Sequence, residues 1–184
     1  MEQGASFSTI SVEQLITGAA IARSTFYVYF EDKGALLVEL ADRVTREVGD
    51  AASGWFQLQA GATRDDLKRA LGLIVKEYGR HRHMFNAVVE AAAYDPRVRR
   101  EYAGIMERRF DDVATALREQ QLAGLIAADV EVAAAAPWLT WMIEHGLNQL
   151  TADSPDVADE SLDGMTTVVW ETLYERALAR TANS

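Results

Sequence analysis

Apolar residues recur at helical spacing along most of this 184-residue chain. Near its start they follow the i, i+3, i+4, i+7 pattern of one apolar helix face, at Val12, Leu15, Ile16 and Ala19. The pattern stops over residues 20–22, and a second short helix is predicted from about Arg23 to Phe30. Two short helices across a tight turn are typical of a helix-turn-helix, whose second helix can enter a DNA major groove.

The rest of the chain is also predicted to be helical. Asp95-Pro96 is a strong helix start, with a capping residue before a proline at the first helical position. No segment shows the apolar-polar alternation of a strand, so the predicted fold class is all-α. The later helices are expected over about residues 33–58, 63–78, 82–93, 96–122, 129–151 and 159–180, with a break at Gly79-Arg80-His81.

The first quarter of the chain carries a characteristic set of spaced residues: Ser11-Val12, Thr25-Phe26-Tyr27-Val28-Tyr29-Phe30, Lys33 and Leu36-Leu37. This combination resembles the DNA-binding signature of TetR-family repressors. With Asp42-Arg43-Val44 and a similar closing helix, it is most similar to an actinobacterial branch of that family, the regulators of the ethionamide-activating monooxygenase. The resemblance is strong over the first quarter and weak over most of the rest.

The resemblance implies two domains: a helix-turn-helix DNA-binding domain over residues 1–47 and a helical ligand-binding and dimerisation domain over residues 48–184. In the family another helix precedes the motif and ends in an acidic-x-Gly step similar to Glu2-Gln3-Gly4. We therefore expect that the first helix is missing, through truncation or an internal start. The alternative is a late start with a disordered tail.

The resemblance also implies which side chains meet DNA. Ser11, at the start of the motif, is one of the predicted DNA-binding residues. On the second helix, Arg23, Ser24, Thr25 and Val28 are predicted to face bases, while Tyr27, Tyr29 and Lys33 are predicted to meet phosphates. Since Val28 is apolar, any contact that it makes with a base would be an apolar one, for example with the methyl group of thymine.

The turn departs from the family pattern. Most members have Gly-Val-Ser there, and this chain has Ala20-Ile21-Ala22. Glycine suits a left-handed turn and serine suits a helix N-cap, so their loss is expected to weaken the motif.

The charge is unfavourable for binding nucleic acid. The formal net charge is −10, and residues 1–50 hold four basic and eight acidic side chains. Phosphate attraction is therefore expected to be weak. Two alternatives stay open: the motif is a short amphipathic hairpin of a helical protein, or the chain is a ligand-binding dimer that has lost operator binding with its first helix.

The two C-terminal helices are rich in apolar residues, and the predicted helix from about Asp129 is apolar nearly all round. Family members pair these two helices across a two-fold axis, which implies a homodimer on a palindromic operator. Met165, Val169 and Leu173 are the predicted interface residues. An ordinary monomer core is the alternative.

Pro137 is expected to kink its helix, and aromatic residues and methionines cluster after it. The resemblance implies that they line a cavity for a small apolar ligand that releases the repressor from DNA, although simple core packing would give the same stripe. The predicted lining residues are Phe85, Tyr102, Met106, Phe110, Trp138, Trp141 and Met142.

Other chemistry finds little support. The chain has no cysteine, no signal-peptide pattern and no apolar stretch long enough to span a bilayer, so a cytoplasmic location without membrane contact is expected. His81 and His83 are two residues apart and would point to different helix faces, which argues against a metal site. No catalytic arrangement, metal or cofactor is predicted, and an enzyme built in the same cavity is a distant third reading.

Overall fold

The computed structural model of the chain describes residues 7–150, 155–175 and 177, and within these ranges it contains helices and no strand. The predicted all-α class is therefore confirmed. After a short 3-10 helix at Phe7–Thr9, the helices are α1 Val12–Gly18, α2 Arg23–Tyr29, α3 Lys33–Ala51, α4 Ser53–Phe56, α5 Arg64–Tyr94, α6 Pro96–Leu122, α7 Val132–Leu150 and α8 Pro155–Leu173.

The chain divides into two compact units. The first contains the chain up to Arg46 together with His81–Ile105, and the second contains Glu47–Arg80 and the chain from Met106 onward. The boundary after Arg46 lies beside the one expected after residue 47. The inclusion of His81–Ile105 in the first unit was not expected from the sequence.

In the first unit, α1 packs on α2, and Ser11 begins α1 with a capping box. The backbone N–H of Gln14 donates to Ser11 Oγ over 3.2 Å, and the Ser11 N–H donates to Gln14 Oε1 over 2.7 Å. Two orphan donors of the helix start are thereby satisfied. The buried apolar residues of this unit include Phe26, Leu37, Ala41, Val44, Phe85, Val88, Val98, Tyr102 and Ile105.

In the second unit, α7 packs on α8, and a hydrogen-bonded network lies within the core. Trp55 Nε1 donates to the Tyr174 hydroxyl over 2.8 Å, and this hydroxyl donates to Gln120 Oε1 over 2.6 Å. Gln120 Nε2 donates in turn to the Trp55 carbonyl over 2.6 Å. Burial raises the pKa of the Tyr174 phenol, so it stays neutral and keeps its donor role.

Two predicted helix boundaries are wrong. The expected break at Gly79-Arg80-His81 is absent, because α5 runs without interruption through it. The helix expected over residues 33–58 is instead divided at Ala52 into α3 and α4. The predictions for Gly4, Thr151 and the end of the last helix at Arg180 fall outside the described residues.

A helix that crosses a bilayer must be both long and apolar. In the part of the chain that the structure describes, none combines the length and the apolar character that a membrane crossing requires.

Candidate nucleic-acid interface

Helix α2 buries a single side chain, that of Phe26, whose ring lies 5.3 Å from Tyr27 and 5.5 Å from Phe30 between centroids. Its other side chains are exposed, Val28 by 76% and Tyr29 by 74%. The residues predicted to face DNA from this helix thus lie on its open surface: Arg23, Ser24, Thr25, Tyr27, Val28 and Tyr29.

The turn before α2 contains a strained residue. Ala20 has φ = 52°, in the left-handed region that an alanine adopts at a cost, and is the one non-glycine residue of the described chain with positive φ. Ala22 is the N-cap of α2 and provides no side-chain hydrogen bond. These two positions are where the family pattern has glycine and serine.

Replacing Ala20 by glycine is therefore expected to raise the free energy of unfolding by about 1 kcal/mol, since glycine adopts positive φ at almost no cost. Urea unfolding measures this change. Ala19→Gly is the matched control, because Ala19 has an ordinary φ of −87° and should lose roughly 0.5–1 kcal/mol through added backbone entropy. Equal losses in both variants would show that Ala20 is not strained.

The backbone of the segment before α1 is hydrogen-bonded by two side chains of opposite charge, Lys33 and Glu90. Lys33 Nζ donates to the carbonyls of Phe7, Ser8 and Ile10 over 3.0, 2.9 and 2.9 Å, and lies 4.9 Å from the centroid of the Phe7 ring. The Glu90 carboxylate accepts from the backbone N–H groups of Phe7 and Ser8 over 2.9 and 3.0 Å. An ammonium group has three donors, so Lys33 would have to give up a carbonyl to bind a phosphate.

An ion pair ties the start of α3 to α6. Arg97 Nη2 donates to both carboxylate oxygens of Asp32 over 2.6 Å, and Nη1 donates to Glu31 over 3.1 Å. Asp32 Oδ1 also accepts from the Ala35 N–H over 2.9 Å. Partial burial pushes the pKa of Asp32 up, but the Ala35 N–H and the Arg97 guanidinium outweigh it, and the pKa lies below its ordinary value.

This lowered pKa makes the contribution of Asp32 to stability depend on pH. Because the folded-state pKa lies below the unfolded value near 4, the contribution is present above that value and is lost as pH falls through the folded pKa. The free energy of unfolding of the wild type should exceed that of Asp32→Asn by about 0.5–1 kcal/mol at pH 7, and this difference should disappear in acid. Urea unfolding at several pH values tests this, with the exposed Asp111→Asn as control; a constant gap would contradict it.

Neither Glu90 nor Arg97 was identified as part of this region from the sequence. Each lies more than 60 positions from its partners on the motif. No local pattern marks such a pair, and only the folded chain brings the partners together.

In the second unit, an apolar groove of about 570 Å³ lies between α7 and α8. Trp138 is 80% exposed there and Val168 is also exposed. We call it the α7–α8 groove, and its lining residues are Ala135, Trp138, Leu139, Trp141, Met142, His145, Val168 and Thr172.

The predicted interface residues need a correction. Val169 and Leu173 have no exposed surface within the single chain and belong to its core, so the prediction that they face a second subunit is wrong. Helical periodicity places them on the inner face of α8, with Val168 and Thr172 beside them on the outer face. Met165 is half-buried.

The predicted ligand-lining residues are divided between the units. Phe85 and Tyr102 are buried in the first unit. In the second, Met106 is buried, and the Phe110 ring lies 5.9 Å from that of Trp141. Phe110 and Pro137 also line a second groove, of about 360 Å³. Trp138, Trp141 and Met142 come together in the α7–α8 groove.

More than half of the chain matches a known protein family, and the matched range includes residues of both units. Residues 67–175 match the family described as the C-terminal domain of the transcriptional regulator EthR. The HTH-type transcriptional regulator EthR of Mycolicibacterium smegmatis is 26% identical over 165 residues, which cover 89% of this chain and 76% of that protein. The regulator of the same name from Mycobacterium tuberculosis is 31% identical over 100 residues, 54% of this chain and 46% of that protein.

Solved structures agree on the fold. A TetR-family transcriptional regulator from Syntrophomonas wolfei superposes with a TM-score of 0.70 at 14% identity, over 88% of this chain and 84% of the other. NemR of E. coli in its reduced form superposes with a TM-score of 0.64 at 16% identity, over 91% and 88%. The chain therefore belongs to the family of transcriptional regulators that carry the EthR C-terminal domain, and it has the fold of the TetR-family regulators among these solved structures.

Proposed function

We propose that the chain is a transcriptional repressor that binds a palindromic operator as a homodimer and leaves it when a small apolar ligand binds. The observation that carries the DNA-binding part is the open surface of α2, where Phe26 alone is buried. A helix that buries one side chain and exposes the others can enter a major groove.

The exposed side chains of α2 have the chemistry that this role needs. Arg23, Ser24 and Thr25 carry hydrogen-bond donors for base edges, and Val28 suits a thymine methyl. The hydroxyls of Tyr27 and Tyr29 can donate to phosphate oxygens, which would fix the orientation of the helix without reading sequence.

The α7–α8 groove is proposed as the surface that meets a second copy. Trp138 presents a large apolar ring to solvent, and Val168 on α8 extends the apolar surface. Pairing this face with itself across a two-fold axis would cover both and would give two equivalent α2 helices, which explains a palindromic operator. In this proposal Trp138 serves self-association instead of an enclosed ligand cavity.

The ligand is proposed to be apolar because the residues predicted to line its cavity are aromatic or thioether side chains, among them Phe110 and Trp141. A ligand that binds only the form unable to hold DNA shifts the population to that form. A compound that raises the melting temperature of the protein should therefore weaken its binding to DNA.

Salt-dependent binding to the DNA beside its own gene tests the proposal. We expect a duplex containing a palindrome to bind more tightly than a duplex of equal length and composition with that palindrome scrambled. The logarithm of the affinity should fall linearly with the logarithm of salt concentration. Equal affinity for both duplexes at every salt concentration would contradict operator binding.

The alternative is a helical dimer that binds a ligand and no operator. It is favoured by the four basic against eight acidic side chains of residues 1–50, and by the engagement of the Lys33 ammonium with three carbonyls. A stabilising apolar compound combined with no preference for any palindrome would select this alternative.

A further inference from the structure

The first side chain of α2 is held from two sides. Arg23 Nη1 donates to Glu13 Oε1 on α1, and its guanidinium carbon lies 5.5 Å from the centroid of the Tyr27 ring, one turn later on α2. Both Arg23 and Glu13 remain largely exposed, so the pair contributes little to stability. Its effect is to hold the guanidinium group between Glu13 and the Tyr27 ring, on the surface that is proposed to meet DNA.

This arrangement leaves one edge of the guanidinium available. Of its five donors, the Glu13 carboxylate occupies the Nη1 side, while Nε–H and one Nη2–H point in parallel from another edge. Two parallel donors match the N7 and O6 acceptors that guanine presents in the major groove. Adenine, thymine and cytosine do not present two neighbouring acceptors in the major groove.

We propose that Arg23 contacts a guanine in each half of the operator, and that Glu13 is the positioning residue that orients it. This inference rests on the proposed operator binding. The Tyr27 ring restrains the guanidinium plane from one face, and Glu13 restrains its rotation within that plane. Arg23 then loses less conformational freedom on binding than an unrestrained arginine would.

Removing Glu13 has two opposite consequences. One negative charge fewer near the phosphates strengthens binding to DNA of any sequence. At the same time Arg23 loses its restraint, and the preference for guanine at its position weakens. A residue that merely competed with DNA for Arg23 would give the opposite second result, because its loss would sharpen that preference.

Selection from a random duplex library, followed by sequencing, measures base preferences directly. Wild type should prefer guanine over the other bases by about 5- to 100-fold at one position in each half-site. Arg23→Ala should abolish this preference and leave the preferences at the other positions unchanged. Glu13→Ala should reduce it by about 2- to 10-fold. Glu13→Gln keeps an acceptor and should retain more of it. Glu39→Ala, which removes an exposed carboxylate from α3, is the control for charge alone.

The outcomes separate the two proposals. Enrichment of no sequence by wild type would overturn operator binding and this inference together. A palindrome whose guanine preference survives Arg23→Ala would overturn the inference and leave operator binding intact. Glu39→Ala should leave the guanine preference unchanged. If Glu13→Ala also leaves it unchanged, or sharpens it, the proposed role of Glu13 is overturned.

Discussion

We expect a Trp138→Glu substitution to separate the proposed dimer into monomers that keep their helical fold. In the single chain this side chain is 80% exposed, so a carboxylate is tolerated there. In the proposed dimer each copy would bury an unpaired charge in an apolar contact, at a cost on the order of 3 kcal/mol or more per charge. Size-exclusion chromatography with light scattering over a range of protein concentrations gives the mass.

Two further variants control this experiment. Leu122 is 88% exposed on α6 and does not line the α7–α8 groove, so Leu122→Glu should leave the dimer intact. Val169 is fully buried, so Val169→Glu should unfold the chain instead of separating two folded copies. A Trp138→Glu protein that remains a dimer would place the interface elsewhere.

Replacing Lys33 by methionine is expected to lower the free energy of unfolding by about 2 kcal/mol in the absence of DNA. The change leaves the carbonyls of Phe7, Ser8 and Ile10 without their charged donor, and hydrogen bonds to charged groups contribute about 1.5–3 kcal/mol. Urea unfolding measures the loss. Hydrogen exchange should also show earlier exchange of the amides of residues 7–10.

Lys68→Met is the matched control, since the Lys68 ammonium pairs with the exposed carboxylate of Asp163 on α8. Such an exposed pair contributes little to stability, so a clearly smaller loss is expected. Full stability of Lys33→Met combined with loss of DNA binding would show that Lys33 acts on phosphate and not on the segment before α1.

Local signals predicted the motif well. The start of α1 at Ser11 and the extent of α2 follow from capping chemistry and from apolar spacing, which act within a few residues. Local signals did not predict which face of α8 points into the core. A helix that is apolar on adjacent positions, such as Val168 and Val169, does not reveal from sequence alone which of the two is buried.

Buried residues lie beside both of the misplaced boundaries. Gly79 costs a helix roughly 1 kcal/mol, yet α5 continues through it with buried residues such as Tyr78 and Phe85 on either side. At the other boundary α3 ends at Ala51, and the next helix holds Trp55, whose buried indole donates to the Tyr174 hydroxyl, 119 positions along the chain. Gly54 is a local signal for a break there, but a contact between residues so far apart cannot be read from a local pattern.

Helices α3, α5 and α6 each begin in one compact unit and end in the other, so the unit that contains the helix-turn-helix is built from two separate stretches of chain. This arrangement restricts how the protein can be recombined with its relatives. A chimera that exchanges only the first 47 residues would present Phe7, Ser8 and Asp32 to whatever the recipient carries in place of Glu90 and Arg97. An engineer who wishes to give this regulator a new operator should therefore transplant His81–Ile105 along with the motif.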